Sequence, residues 1–269
     1  MKAGSPMALI AEFQAPLFSI KLYETYQVAV SYPLPPPSTI IGALAYSIGL
    51  LGYCKPDYKF GTSSDCYKKV AELVDKARAA LPSPGERIGL SHRNTKGDLE
   101  YLMTKTGVIL RRLRKVLEKK KLPRDYQGIV DFSDAMVREY STLFKFKIVL
   151  IPSGIGRNKL DNLVKLMWLI ERLGDSESLV SVTNVRVAPL VPCGDGNNFV
   201  NVVVKADVVS NGSYMVMKGF DEKYNEVNLA FPVVSYADHY RLGEIMVKNS
   251  VKPVYCAEDV RIPDPNREW

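Results

Sequence analysis

The sequence predicts an α+β protein, and three observations carry that prediction. Over the first part of the chain, stretches alternating apolar and polar residues are interleaved with stretches whose apolar residues recur at helical spacing. From about residue 190 onward the two-residue alternation dominates, as in antiparallel β structure. A strongly basic segment of different composition interrupts the first part. The composition agrees: 269 residues, 46% hydrophobic, 10% aromatic and 24% charged. These values fit a globular protein and exclude a disordered tail or a collagen-like fibre.

The elements follow in order. Ala8–Phe13 reads as the first strand, and Tyr26–Ser31 as an extended segment leading to Pro33 and Pro35-Pro36-Pro37. The proline run is stiff, and Ser38 stands where a helix N-cap belongs. Ile40, Ile41, Leu44, Ala45, Ile48 and Leu51 then make a helix apolar on most sides, hence buried, with Gly49 and Gly52 at its end. The run from Thr25 to Cys54 carries no charge. Its helical part is about 14 residues, roughly 21 Å, against the roughly 30 Å of a bilayer core. No membrane span is expected, and Met1–Met7 lacks the apolar core of a secretory signal. The protein is expected to be soluble and cytoplasmic.

A second helix is predicted over Asp65–Leu81, with Val70, Leu73, Val74 and Ala77 on one stripe and Pro82 and Pro84 stopping it. Phe144, Phe146 and Ile148 alternate with Lys145 and Lys147 as a half-buried strand. Asn158 caps a helix whose Leu160, Leu163, Val164, Met167 and Ile170 face the core, and Gly174 stops it. Leu179–Val187 is a further strand. Val200, Val202, Val204, Ala206 and Val208 form one face of a strand, which Asn211-Gly212 turns into another around Tyr214–Lys218. Trimmed of its insertion, the first part approximates the split βαβ, ferredoxin-like pattern. Such a sheet carries helices on one face and leaves the other free, the face that RNA-recognition modules use.

The charge is local. The chain has 36 basic and 29 acidic residues, a formal +7. Between Arg87 and Arg124 alone, twelve basic side chains face three acidic ones, a net +9, so the remainder is slightly acidic. Within this segment Lys105–Lys121 is predicted to be a helix, with Ile109, Leu113, Val116 and Leu117 on one stripe and basic residues around the rest. Such a helix suits nucleic acid, an anionic membrane or solvent. Tyr101, Tyr126 and Tyr140, near the basic residues, are suited to stacking on bases and favour RNA or single strands.

Enzyme signatures are missing. There is no phosphate-binding loop, nucleophile elbow or metalloprotease motif, and Gly154-Ile155-Gly156-Arg157-Asn158 reads as a strand-to-helix turn. Cys54, Cys66, Cys193 and Cys256 have no C-x-x-C spacing and read as buried thiols, a disulfide being allowed if the source is a hyperthermophile. No metal site is expected. Of the two histidines, His92 lies in the basic segment beside Lys96, while His239 reads as packing in the β region.

Leu9-Ile10-Ala11-Glu12-Phe13, followed by Ser31-Tyr32-Pro33-Leu34-Pro35-Pro36-Pro37-Ser38-Thr39-Ile40-Ile41-Gly42-Ala43-Leu44, resembles the opening of the Cas-five family, CRISPR-associated subunits of the RAMP superfamily. Arg172-Leu173-Gly174-Asp175-Ser176-Glu177-Ser178-Leu179-Val180 resembles that family's helix–glycine loop–strand step. The resemblance implies a ferredoxin-like RAMP domain over residues 7–190, a thumb at the basic insertion of about 82–131, and a smaller antiparallel β region over 191–269. It implies a non-catalytic subunit of a type I interference complex (Cascade) in antiviral defence. There the subunit caps the 5′ repeat-derived handle of the guide RNA (crRNA) and touches a Cas-seven-like backbone subunit and the large subunit. The look of the chain is archaeal, closest to the type I-A branch.

On this reading the RNA-binding residues are Arg87, His92, Arg93, Lys96, Lys105, Arg111, Arg112, Arg114, Lys115, Arg138, Lys145 and Lys147. No catalytic residue, cofactor or metal is assigned. The alternative is a metal-independent endoribonuclease acting on CRISPR repeat RNA, with His92 as general acid or base and Lys96 stabilising the phosphate. Asp175 and Glu177 make the glycine step acidic, so it reads as a close packing turn instead of a phosphate grip.

Overall fold

The computed structural model describes residues 6–22, 24, 30–55, 64–81, 92–93, 99–105, 139–154, 157–174, 178–194, 198–235 and 239–269. In chain order the elements are β1 (Met7–Phe18), α1 (Pro37–Leu50), α2 (Asp65–Ala71), β2 (Val74–Ala80), β3 (His92–Arg93), β4 (Leu99–Lys105), β5 (Glu139–Pro152), α3 (Arg157–Trp168), β6 (Ser181–Pro189) and β7 (Val191–Pro192). The rest is almost wholly strand: β8 (Phe199–Val200), β9 (Val204–Lys205), β10 (Val209–Ser213), β11 (Met215–Phe220), β12 (Glu226–Phe231), β13 (Val233–Ser235), β14 (His239–Leu242), β15 (Glu244–Val247), β16 (Tyr255–Ala257) and β17 (Val260–Ile262). The architecture is mixed α/β with antiparallel strand pairing.

β1 is the middle of the main sheet because both its faces are apolar. Leu9, Ala11, Phe13 and Ala15 enter one core, and Ala8 and Ile10 enter a second. β1 pairs antiparallel with β5 on one side and β6 on the other, and β2 pairs antiparallel with β5, giving the order β2-β5-β1-β6. The first core fills the space between this sheet and the helices, with Phe13 stacked on Phe146 at 5.4 Å and Ile40, Ile41, Leu44, Leu163 and Met167 above them. The second core lies on the opposite face, where Ile10, Val149, Ile151 and Ala188 meet Val200, Val202, Ile245, Val260, Ile262 and Trp269. The sheet face expected to be free is therefore roofed by the C-terminal β region, and its apolar residues are unavailable for stacking on RNA.

Several predicted elements change. The helix expected over Asp65–Leu81 stops at Ala71, and Val74–Ala80 is a strand. The sequence fits both periods here, and pairing with β5 decides: Ala77 and Ala79 enter the first core while Ala80 enters the second. The outer edge of β2 is covered, since Val203 N–H donates to the Ala79 carbonyl at 2.9 Å and Ala77 N–H donates to Glu222 Oε1 at 2.8 Å. Ser38 is not the N-cap of α1. Pro36 holds that position without a side-chain bond, and Pro37 starts the helix with its φ already set. The valine strand after Val200 is broken into β8, β9 and a 3-10 turn over Ala206–Val208. Val200 pairs with Ile245 but Val204 pairs with Ala230, so one straight strand cannot serve both partners. Asn211-Gly212 makes no hairpin turn; it lies inside β10, where Gly212 has φ +128° and a Cβ would stand 2.0 Å from the Glu244 carbonyl oxygen.

The cysteines are not thiols: Cys54 is bridged to Cys66 and Cys193 to Cys256, with Cα–Cα distances of 5.1 and 5.2 Å. Among the described residues no helix is long and apolar enough to cross a membrane. The helix predicted over Lys105–Lys121 lies outside the described residues, apart from Lys105, which ends strand β4.

Candidate nucleic-acid interface

Of the basic residues singled out in the sequence, Arg87, Lys96, Arg111, Arg112, Arg114, Lys115 and Arg138 lie outside the described residues. The others fall on strands. β3 pairs with β4 so that His92 is opposite Glu100 and Arg93 opposite Leu99. β4 in turn pairs with β14, which puts His239 opposite Leu102, Tyr101 opposite Tyr240 and Arg241 opposite Glu100. Lys105 is opposite Glu139 on β5, and Tyr140 is opposite Thr104. The basic insertion is thus anchored by a strand between β5 and the C-terminal hairpin β13–β14.

Lys145 is exposed on β5. Lys147, two residues on, is buried under the C-terminal region and bonds Asp259 Oδ2 at 2.7 Å. It shares its face of β5 with Val149 and Ile151, and that face is roofed. Lys147 is committed to an ion pair inside the protein. Among the described residues no group of three or more His, Cys, Asp or Glu is placed to hold a metal.

The structure does bring together three segments that the sequence shows apart. Ser38, Thr39, Gly42, Ala43 and Tyr46 lie along one side of α1 at helical spacing. With Arg172 and Gly174 from the loop after α3, and Tyr224 from the turn between β11 and β12, they line a cavity of about 400 Å³. Gly42 and Ala43 keep it open; a Cβ on Gly42 would still stand 3.9 Å from the Tyr224 hydroxyl.

The glycine loop is a packing turn. Gly174 has φ +96°, and a Cβ there would meet Ile20 Cγ1 at 2.6 Å and the Ser19 carbonyl at 3.2 Å. Ser19 N–H donates to Ser178 Oγ at 3.0 Å, that hydroxyl donates back to the Ser19 carbonyl at 3.0 Å, and Leu173 N–H donates to the Ser178 carbonyl at 3.1 Å. Only glycine allows this approach of the loop to the end of β1.

Tyr224 is held in the left-handed region at φ 61°. Asp221 fixes it there: its Oδ1 accepts the N–H groups of Lys223 and Asn225, each at 2.9 Å, and its carbonyl accepts Tyr224 N–H at 3.1 Å. Burial works to raise the Asp221 carboxyl, but the bonds from Asn225 and Lys223 and the nearby Lys205 outweigh it and hold the group below its ordinary range. The Tyr224 ring stands edge-on to Tyr67 at 5.1 Å. Burial raises both phenols, Tyr67 to about 12, so each stays protonated at neutral pH. Tyr46 is 54% exposed. Arg172 is exposed and, among the described residues, has no bonded side-chain partner.

Sequence reasoning singled out Ser38, Thr39, Gly42, Ala43, Arg172 and Gly174 as motif residues but not as one site, and it missed Tyr46 and Tyr224. Tyr46 carried one signal, a large polar-tipped ring in a helix otherwise apolar on most sides. Tyr224 carried none, because only the tertiary fold brings its turn to α1.

The family of CRISPR-associated protein (Cas_Cas5) matches residues 8–121. A CRISPR-associated protein Cas5 of Thermoproteus tenax is 35% identical over 242 residues, 90% of this chain and 92% of that protein. CRISPR-associated protein Cas5 2 of Saccharolobus solfataricus is 27% identical over 196 residues, 72% of this chain and 66% of that one. Among solved structures, a CRISPR protein from Archaeoglobus fulgidus superimposes with TM-score 0.49 at 15% identity, covering 96% of this chain and 98% of that one. With 35% identity sustained over nine-tenths of both sequences, this chain belongs to the CRISPR-associated Cas5 family.

Proposed function

We propose that the protein is a non-catalytic guide-RNA-binding subunit of a type I CRISPR interference complex, capping the 5′ handle of the crRNA and anchoring neighbouring subunits. The observation that carries this reading is the net +9 between Arg87 and Arg124 in a Cas5-family chain whose remainder is slightly acidic. A phosphate backbone is the partner such a segment suits, because each neutralised phosphate releases counterions. The partners are the crRNA handle, a Cas-seven-like backbone subunit and the large subunit, in the cytoplasm of an archaeon of the type I-A kind. The strand order β2-β5-β1-β6 with intervening helices supports a ferredoxin-like RAMP domain over 7–190. The basic insertion of about 82–131 is its thumb, and 191–269 is a β-rich region packed on the sheet.

Replacing Arg111, Arg112 and Arg114 together by alanine should weaken binding of repeat-derived RNA and flatten its salt dependence by about 2 in the log–log slope, roughly 0.7 per lost contact to a single strand. Unchanged affinity and slope would remove the basic segment from the RNA path.

The second reading is metal-independent cleavage of repeat RNA through His92, with Lys96 as stabiliser. The strand register favours it by placing His92, Glu100 and Arg241 in one cross-strand row. It requires a discrete product in EDTA that His92→Ala reduces by about 10²-fold or more.

A further inference from the structure

We propose that the cavity between α1, the Gly174 loop and the Tyr224 turn seats one unstacked nucleotide of single-stranded RNA, its base against the rings of Tyr46 and Tyr224 and its phosphate on Arg172. This inference rests on the RNA-binding reading above and adds the place where a single base is gripped, on the opposite side of the sheet from the roofed face.

The lining chemistry selects the ligand. Two tyrosine rings, the Ser38 and Thr39 hydroxyls and one guanidinium border the cavity, and among the described residues no carboxylate does. A planar aromatic ligand carrying hydroxyls and negative charge matches that set, whereas an acyl chain or a cation does not. The volume, about 400 Å³, falls within the range of small-ligand sites. Tyrosine faces stack on any base, and a planar guanidinium with no bonded partner among the described residues is suited to hold a phosphate or a base edge.

Two further observations bear on the cavity. Ser38 is nine-tenths buried and lies on the cavity wall. Tyr224 sits at φ 61°, a conformation that side chains larger than glycine avoid, and the Asp221 bonds keep it there with its ring on the cavity. The glycine loop and the Asp221 turn both lie far along the chain from α1, yet Arg172 of the one and Tyr224 of the other line the cavity beside it. Raised by burial, the Tyr224 phenol stays neutral and keeps its proton for donation.

The test uses the full chain and an oligouridylate carrying a single 2-aminopurine, moved one position at a time. Stacking on tyrosine quenches that base. One position should be quenched on binding. Tyr46→Ala, Arg172→Ala and Tyr224→Asn should each abolish the quench and weaken binding, the two tyrosine variants by about 5- to 150-fold, the range for lost stacking contacts. Tyr46 and Arg172 are exposed, so their variants keep the fold, and asparagine tolerates the left-handed backbone at position 224. If the chain binds RNA with undiminished affinity in all three variants, or quenching spreads evenly over all positions, the cavity is not a base site while the RNA-binding reading stands. If the unaltered chain binds no RNA, both readings fall.

Discussion

Removing the Cys193–Cys256 bridge, by replacing both cysteines with serine, should cost the protein a measurable share of its stability. The bridge ties the residue after β7 to β16, two pieces of the roof over the second core, where Cys193 N–H also donates to the Val254 carbonyl at 2.9 Å. Its sequence separation is 63. Loop-closure entropy for a ring of that size gives about 4 kcal/mol at 25 °C. The Cys54–Cys66 bridge, with a separation of 12, is worth about 3 kcal/mol by the same relation. Unfolding entropy of about 2.1 cal/mol/K per residue makes a shift in Tm of about 7 °C for the long bridge in a chain of 269 residues. The assay is thermal unfolding followed by circular dichroism, on the unaltered chain with and without reductant and on the double serine variant. Reductant should lower the Tm of the unaltered chain by more than the variant's own shift, since it opens both bridges. Four free thiols in the unaltered chain unfolded without reductant would refute the reasoning, as would a variant whose Tm stays within about 2 °C of the original against the loop-entropy expectation.

Other predictions concern single groups. Gly174→Ala should destabilise the fold by about 2 kcal/mol or more, from the left-handed backbone and the Ile20 contact together, seen in chemical denaturation. Lys147→Ala should lower stability by about 1–3 kcal/mol through its abandoned Asp259 partner, yet leave the affinity for RNA unchanged, whereas Lys145→Ala should reduce affinity; both are read by filter binding. Burial pushes the Tyr67 phenol up to about 12, from the ordinary tyrosine value of about 10. Its stabilising effect is complete below pH 10 and is lost as pH rises toward 12, so phenolate absorbance in Tyr67→Phe should lack the latest-rising component of the unaltered chain.

The parts of the fold legible in the sequence are those where one physical signal dominates. β1 shows as a strand through its apolar run and β5 through the alternation of Phe144, Phe146 and Ile148 with Lys145 and Lys147, while α1 is apolar on most sides because it packs on the sheet and the other helices. α3 has one apolar stripe and one solvated face, and helical periodicity finds it. β2 was misread because Val74–Ala80 satisfies both periods and its alanines favour helix; only the open edge of β5 decides between them. The roof over the second sheet face was invisible because its valines look like one long strand, while the fold divides them among separate sheets. Gly212 read as a hairpin glycine, yet the close approach of Glu244 explains it. The disulfides depend on Cα separations that spacing along the chain does not encode. At the candidate site, the motif residues of α1 and the glycine loop were readable one by one. Their meeting around one cavity, with Tyr224 closing it, belongs to the tertiary fold alone.

The most direct test of the central claim is nuclease footprinting of end-labelled repeat-derived RNA bound to the full chain in EDTA. The account predicts protection confined to the 5′ handle on an RNA that stays intact. Protection spread evenly along the strand, or a discrete cut abolished by His92→Ala, would contradict it.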